Sequence, residues 1–286
     1  MKENQTSLLY NIDDIPPLGE TLILGFQHYL TMFGSTVAIP LLLSPAFGLD
    51  DPIQKGWLIA TMFFVSGITT LLQTTWGNRL PIVQGGTFSF LAPTFAICGM
   101  AALANAGWEV RMQHVQGAII AGSVAEIAVG ASGLVGRLLR FVGPITIAPT
   151  IALIGLALFK FGAPEAGRYW PIGGLTIFLI ILFSQYLRGK HRTFELYPIL
   201  LAIVTAWAVS AICTALGIFP AGHPAHTSLA NVKDAQWFRI PYPFQWGFPQ
   251  FGVAAFVGMV AGYIASIVES IGDYYACARL SGAPVP

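Results

Sequence analysis

Long apolar runs separated by short polar stretches make up most of this 286-residue chain. A helix needs about 20 consecutive apolar residues to cross a bilayer core about 30 Å thick. Seven stretches near or above that length contain no Asp, Glu, Lys or Arg: 21–49, 56–78, 80–108, 141–159, 169–187, 196–232 and 240–268. An eighth stretch, 115–135, is interrupted only by Glu126.

With the loops trimmed, this pattern predicts an all-α polytopic membrane protein with eight membrane segments. The predicted segments are 19–43, 56–76, 84–103, 114–136, 140–159, 171–187, 196–217 and 250–277. Eight spans in a chain of this length leave no room for a soluble domain.

The composition supports this class, because 55% of the residues are hydrophobic and only 9% are charged, against about 25% charged in a typical soluble domain. A net charge of +1 without a long basic run argues against nucleic acid as a partner. Cys98, Cys213 and Cys277 show no metal-ligand or redox spacing, so we interpret them as small buried hydrophobic side chains. The segments carry no HExxH or GxSxG motif, and we do not expect an enzyme.

The distribution of Lys and Arg predicts the orientation in the membrane. One set of alternate loops carries eight of the fourteen basic residues and the other set six, and the densest cluster, 187–192, lies in the first set. Because basic loops favour the cytoplasmic side, we expect a multi-pass protein of the plasma (inner) membrane with a cytoplasmic N-terminus. The long loop that starts at residue 218 then lies outside.

The third segment begins with the stretch "PIVQGGTFSFLAPTFAI", residues 81–97, which does not read as an ordinary helix. Adjacent glycines weaken a helix, and residues 87–90 have β-branched and aromatic character. We therefore predict a short extended strand followed by a helix that starts near Pro93. Broken backbone at membrane depth is tolerated where it lines a cavity, so this stretch indicates either a binding site or a proline kink repaired by neighbouring helices.

The first segment carries a polar stripe, since Gln27, Thr31 and Ser35 are spaced four apart. Such a stripe faces protein or water rather than lipid. His28 lies beside it and is either a simple hydrogen-bonding group or part of a site.

Glu269 and Asp273 are the most informative residues of the last segment. Residues four apart on a helix share one face, and ionising both carboxylates in a low-dielectric setting is unfavourable. The pair can hold a proton or an alkali ion, and a carboxylate can also accept N–H bonds from a planar heterocycle. The alternative is that Asp273 lies among the lipid headgroups with Arg279 as its partner.

Two further polar features stay open. Glu126 is either a functional group at membrane depth or a protonated carboxyl bonded to a neighbouring helix. The loop sequence "GHPAH", residues 222–226, contains two histidines but no other metal ligands, so we expect no metal there.

Four stretches together resemble the nucleobase and ascorbate transporter family, also called nucleobase:cation symporter-2, which includes xanthine and uracil permeases and sodium-coupled vitamin C transporters. The stretches are "QHYLTMFGSTVAIPLLL" from 27, "GITTLLQTTWGNRLPIVQGGTFSFLAPT" from 67, "GLVGRLLRFVGPITIAPTIALIGLALF" from 133 and "ESIGDYYACARLSGAP" from 269.

The resemblance implies fourteen membrane segments in two inverted repeats of seven, which form a core and a gate domain. Substrate would cross by movement of core against gate, elevator fashion, usually in a homodimer. The implied division is a cytoplasmic tail at 1–18, core segments 1–4 at 19–137, gate segments 5–7 at 138–217, an extracellular loop at 218–249 and core segment 8 at 250–286.

The resemblance also implies roles for individual residues. Glu269 matches the glutamate that hydrogen-bonds the substrate ring, and Asp273 matches an acidic position tied to cation coupling. Phe88 matches an aromatic residue that contacts substrate, and His28 matches a histidine that supports the site. Two positions beside Phe88 complete the predicted substrate site: Thr87 and Ser89.

The resemblance leaves the substrate and the ion open. The stretch from residue 84 looks like the nucleobase permeases, whereas those from 27 and 67 look close to the vitamin C branch. We expect cation-coupled symport of a xanthine- or uracil-type nucleobase, with ascorbate as the alternative, and Na⁺ or H⁺ as coupling ion without any other cofactor or metal.

The chain departs from the family in length. Family members extend well beyond this length, and their second short strand and diagnostic motif would follow Pro286. We therefore expect the chain to be incomplete and unable to transport alone. The alternative is a non-transporting membrane fragment that acts as a partner subunit.

Overall fold

The computed structural model describes residues 10, 13–133, 136, 144–191, 193–194, 197–230, 232 and 238–284. Most of the predicted tail and the predicted boundary between residues 137 and 138 lie outside the described residues. The helices are α1 (Leu18–Phe47), α2 (Pro52–Thr75), α3 (Leu91–Cys98), α4 (Trp108–Ala131), α5 (Pro144–Gly167), α6 (Trp170–Ile181), α7 (Pro198–Ala215) and α8 (Val253–Ser281).

Five of the described helices, α1, α2, α4, α7 and α8, are long and apolar enough to cross a membrane. The predicted class, an all-helical polytopic membrane protein, agrees with this finding. Every predicted segment overlaps one of the helices, but α3 is short, and α6 continues into a π-helical turn, Leu182–Tyr186. Eight membrane crossings and the two repeats of seven stay predictions.

The helices pack in two groups. Helices α1, α2, α3, α4 and α8 contact one another, and α6 packs against α5 and α7. The buried centre of the first group joins the end of α1 to α3, α4 and α8 through Phe47, Ile97, Ala118 and Met259. Contacts of α7 with α1 and of α5 with α8 connect the groups. The assignment of these groups to core and gate domains stays a prediction.

A single arginine joins the end of α1 to the start of α4. The Arg111 guanidinium donates to the carbonyl oxygens of Ala46 at 3.1 Å and Phe47 at 3.3 Å. It also donates to Leu103 at 3.2 Å and Ala104 at 3.1 Å. Because the last carbonyls of a helix have no partners within the helix, Arg111 satisfies groups that would otherwise remain unpaired at the end of α1.

The third segment is broken as expected, but the predicted strand is wrong. Phe88–Phe90 forms a 3₁₀ turn, and the described residues contain no strand that could pair with this segment. Thr87 does have an extended backbone, with φ −91° and ψ 140°, yet its side chain accepts the Ser89 N–H and so starts the turn. This bond is a helix N-cap, and it favours a turn over continued extension.

Helix α3 begins at Leu91, two residues before Pro93. Pro93 therefore occupies the first turn of α3. The first N–H groups of a helix have no partners within it, and a proline there loses no helical hydrogen bond.

Helix α8 fits against α4 at a glycine notch. The ring of Tyr263 lies so close to Gly122 that an added Cβ would be 2.1 Å from a ring carbon. The Tyr263 hydroxyl donates to the Ile119 carbonyl at 2.7 Å, and the edge of its ring packs against Phe90, with centroids 4.8 Å apart. This contact fixes α8 against both α4 and the 3₁₀ turn.

We expect Gly122→Ala to lower the free energy of unfolding by about 1–3 kcal/mol, the usual cost of overpacking. The added methyl group forces the Tyr263 ring away from α4. Gly130 lies on the same helix, and a Cβ added there would meet nothing within 4 Å, so Gly130→Ala is the matched control. Denaturant unfolding in detergent micelles compares the two variants, and equal stability of both would contradict the notch.

Candidate functional site

Glu269 and Asp273 line one cavity of about 240 Å³. One wall of the cavity is α8, and the others are α1 and the non-helical residues 82–87. The volume lies just below the range of about 300–1,000 Å³ that is usual for small-molecule sites. The helical spacing of four therefore places both carboxylates at one site, next to the break in the third segment.

The Glu269 carboxylate binds the broken segment through one of its oxygens. Its Oε2 accepts the Thr87 hydroxyl at 2.7 Å and the Ser89 hydroxyl at 2.8 Å. Its Oε1 has no hydrogen-bond partner among the described residues. The carboxylate is thus fixed in orientation and still has an oxygen that can accept a hydrogen bond.

Gln84 anchors the middle of the non-helical stretch. Its backbone N–H donates to the Thr70 hydroxyl on α2 at 2.8 Å, and its side-chain oxygen accepts the Tyr274 hydroxyl on α8 at 3.3 Å. The segment is therefore held between two helices without being part of either.

Gly86 lets the segment pass close to α1 and α2. A Cβ on Gly86 would lie 2.4 Å from Met62 and 2.8 Å from Ile39. The backbone N–H groups of Gly85 and Gly86 donate to no acceptor in the described part of the chain. Both glycines line the cavity, so two unpaired N–H groups lie beside it.

The charged side chains that line the cavity are both acidic. Two carboxylates line it, and no Lys, Arg or His is among its lining residues. The alternative in which Arg279 pairs with Asp273 is not observed, since the described residues contain no ion pair between them. Such a cavity suits a cation, a proton or a ligand rich in hydrogen-bond donors.

The other predicted site residues lie in different positions. His28 lines a neighbouring cavity of about 450 Å³ between α1, α2 and residues 81–83, and it does not line the cavity of Glu269. Phe88 opens the 3₁₀ turn and is half-buried, but it lines neither cavity. The structure therefore brings together Thr87, Ser89, Glu269 and Asp273, and the roles given to all six residues stay predictions.

Gln84 and Tyr274 are cavity residues that the sequence reasoning missed. Tyr274 directly follows Asp273 and lies five positions after Glu269, and neither spacing places residues on one helix face, so spacing gave no signal for it. Gln84 precedes the two glycines in a stretch without periodicity, and such a stretch does not show where a side chain points.

Glu126 and the loop histidines do not belong to this cavity. Glu126 is half-buried on α4 and forms no hydrogen bond or ion pair with a described residue. His223 stacks on Phe219 with centroids 4.5 Å apart, and its Nδ1 accepts the Ala225 N–H at 3.1 Å. The His223 ring also packs edge-on against Tyr169, with centroids 4.6 Å apart, so aromatic contacts hold this histidine.

These helices and the polar cavity at a break in one segment define a multi-pass helical membrane protein. Residues 19–286 match the protein-family model Xan_ur_permease, which is described as a permease family. The chain belongs to this permease family.

Curated relatives match almost the whole chain. Solute carrier family 23 member 2 of Mus musculus is 44% identical, covering 99% of this chain and 50% of the relative. Solute carrier family 23 member 1 of Rattus norvegicus is 42% identical over 99% of this chain and 54% of its own length. Nucleobase-ascorbate transporter 2 of Arabidopsis thaliana is 38% identical over 98% of this chain and 56% of its own length. The chain thus spans about half the length of these relatives.

We expect Ser89→Ala to lower the free energy of unfolding by about 1.5–3 kcal/mol, as is typical for a lost hydrogen bond to a charged group. In a Glu269→Gln background the same substitution costs less, because the charged acceptor is already gone. A double-mutant cycle by denaturant unfolding in micelles measures this coupling.

Thr69→Val is the matched control, because the Thr69 hydroxyl bonds only carbonyls of its own helix. Thr69→Val should lower the free energy of unfolding by the same amount in the unmodified and the Glu269→Gln backgrounds. An equal cost of Ser89→Ala in both backgrounds would contradict the bond to Glu269.

Proposed function

We propose that this chain forms part of a symporter that moves a nucleobase of the xanthine or uracil type across the plasma membrane together with a cation. One observation carries the proposal: a carboxylate, Glu269, is oriented by two hydroxyl groups inside a polar cavity at a broken membrane segment. Broken segments at membrane depth are typical substrate sites of secondary transporters. We do not propose an enzyme.

The polar groups of the cavity complement a neutral planar heterocycle. The free Oε1 of Glu269 accepts a ring N–H, and the N–H groups of Gly85 and Gly86 are available to a ring carbonyl. The name of the Arabidopsis thaliana relative, nucleobase-ascorbate transporter, includes this class of ligand.

Charge favours a nucleobase over the alternative, ascorbate. Ascorbate is an anion at neutral pH, and both charged groups that line the cavity are carboxylates. An anion would need bound cations to offset this repulsion, whereas a neutral nucleobase would not. Ascorbate is the second candidate because the relative's name includes both ligands.

The second carboxylate supports cation coupling. Asp273 lies one helical turn from Glu269 and has no hydrogen-bond or ion-pair partner among the described residues. A proton or a sodium ion at Asp273 would relieve the repulsion between the two carboxylates. Either ion fits this role.

The two helix groups support an elevator movement. The cavity is built only from the group of α1, α2, α3, α4 and α8 and the segment it holds, so substrate would travel with that group past α5–α7. The rest of the site, a homodimeric assembly and the second repeat are proposed for the complete protein.

We expect cells that express the complete coding frame to take up labelled xanthine or uracil, and excess ascorbate to leave this uptake unchanged. A neutral ligand matches the acidic cavity better than an anion does. Uptake of labelled ascorbate that no nucleobase inhibits would favour the alternative substrate. No uptake of either compound, together with co-purification of a longer relative, would favour a partner subunit.

We expect Asp273→Asn to remove the acceleration of uptake by a sodium or proton gradient. An amide cannot bind a proton or hold a cation as a carboxylate does, while Glu269 remains to bind substrate. Uptake into proteoliposomes with and without each gradient measures the effect. Asp50→Asn is the control, since Asp50 is exposed outside the cavity. Full dependence of uptake on the gradient in Asp273→Asn would contradict the role of Asp273 in cation coupling.

A further inference from the structure

Gln84 lines the same cavity as Glu269, three residues before the Thr87 hydroxyl that bonds this carboxylate. Its side chain is half-buried and lines the cavity together with both carboxylates. Its side-chain nitrogen has no hydrogen-bond partner among the described residues. A glutamine in this position offers two N–H donors to the cavity.

The backbone of Gln84 is fixed independently of its side chain. Its backbone N–H donates to the hydroxyl of Thr70, a residue of α2, at 2.8 Å. A shift of the Gln84 backbone would break this bond. The position from which the side chain extends is therefore fixed before any ligand binds.

The Tyr274 hydroxyl engages one end of the Gln84 amide. It donates to the Gln84 side-chain oxygen at 3.3 Å. An amide whose oxygen is engaged presents its nitrogen on the other side. In this arrangement the amide nitrogen is the end left for a ligand, and the Tyr274 hydroxyl acts as a positioning group.

The donor and the acceptor line the same cavity. Gln84 and Thr87 are three residues apart, which is at most about 10 Å of chain at 3.3–3.6 Å per residue, and Thr87 bonds Glu269 directly. A planar heterocycle bound in this cavity of about 240 Å³ would lie beside both groups. The acceptor end is Glu269 Oε1, and the donor end is the Gln84 amide nitrogen.

We propose that Gln84 is a specificity-determining residue that donates to a carbonyl oxygen of the bound nucleobase, at the ring edge away from the N–H that Glu269 accepts. The assignment rests on the proposed function and extends it to one chemical feature of the substrate. A ring with N–H and C=O groups on separate edges satisfies both residues. A ring that lacks the carbonyl leaves the amide without a partner, and this selects against it.

The test compares uracil with 2-thiouracil and 4-thiouracil, because sulfur accepts a hydrogen bond more weakly than oxygen. Each analogue competes with labelled uracil for uptake by the complete protein. In the unmodified protein one of the two thio analogues binds more weakly than uracil by roughly two- to ten-fold, the range of one neutral hydrogen bond. Gln84→Met keeps the side-chain size but has no donor, so this ratio falls to about one.

Tyr274→Phe gives an intermediate ratio, because the amide can then turn either way. Its KM for uracil rises while its maximal rate stays unchanged, which a general packing defect would not produce. Gln54→Met is the matched control, since Gln54 lies in the first turn of α2 and outside the cavity. We expect Gln54→Met to prefer uracil over the thio analogue by the same ratio as the unmodified protein.

Should Gln84→Met abolish uptake, equilibrium binding of labelled uracil to the purified variant gives the same ratio. An unchanged preference in Gln84→Met, with uracil still bound, overturns the role of Gln84 and leaves the proposed function standing. An unmodified protein that takes up no nucleobase overturns the proposed function instead, and the assignment with it.

Discussion

The structure depends on how a stretch of non-helical backbone is held among membrane helices. Lipid offers no hydrogen bonds, so such backbone must be bonded to protein or line a cavity. Residues 82–87 do both: Gln84 is bonded to α2 and α8, and Thr87 is bonded to Glu269. The same carboxylate that stabilises the break therefore faces the cavity that the break creates. Structural support and binding chemistry are provided by one side chain.

The helical class and the position of the break could be predicted from local features. Charge-free windows locate the helices because a bilayer imposes their length, and adjacent glycines before Pro93 locate the break. The strand could not be separated from a 3₁₀ turn in this way. Residues 87–90 have β-type side chains, but a strand needs a partner, and the Thr87 side chain instead caps the turn. The hydrogen bond from the Ser89 N–H to the Thr87 side chain outweighed the β propensity of these residue types.

The site was predictable where a single helix determines it. Glu269 and Asp273 share a face because of helical spacing alone, and the cavity contains both. His28 required more information, because its place relative to Glu269 depends on how far α1 is shifted along α8. Two turns separate His28 from Ser35, and only Ser35 lines the Glu269 cavity. Local spacing cannot supply such a shift between helices, nor the direction of a side chain in an aperiodic segment.

The two carboxylates differ in a way that supports separate roles. Hydroxyl donors already stabilise the charge of Glu269, whereas Asp273 has no comparable donors among the described residues. Hydrogen bonds to a carboxylate favour its charged form, so Glu269 needs a cation less than Asp273 does. A cation or proton therefore gains more by binding at Asp273, one turn away. Its charge would in turn reduce the cost of bringing a substrate against Glu269, and this mutual effect is the physical basis that symport requires.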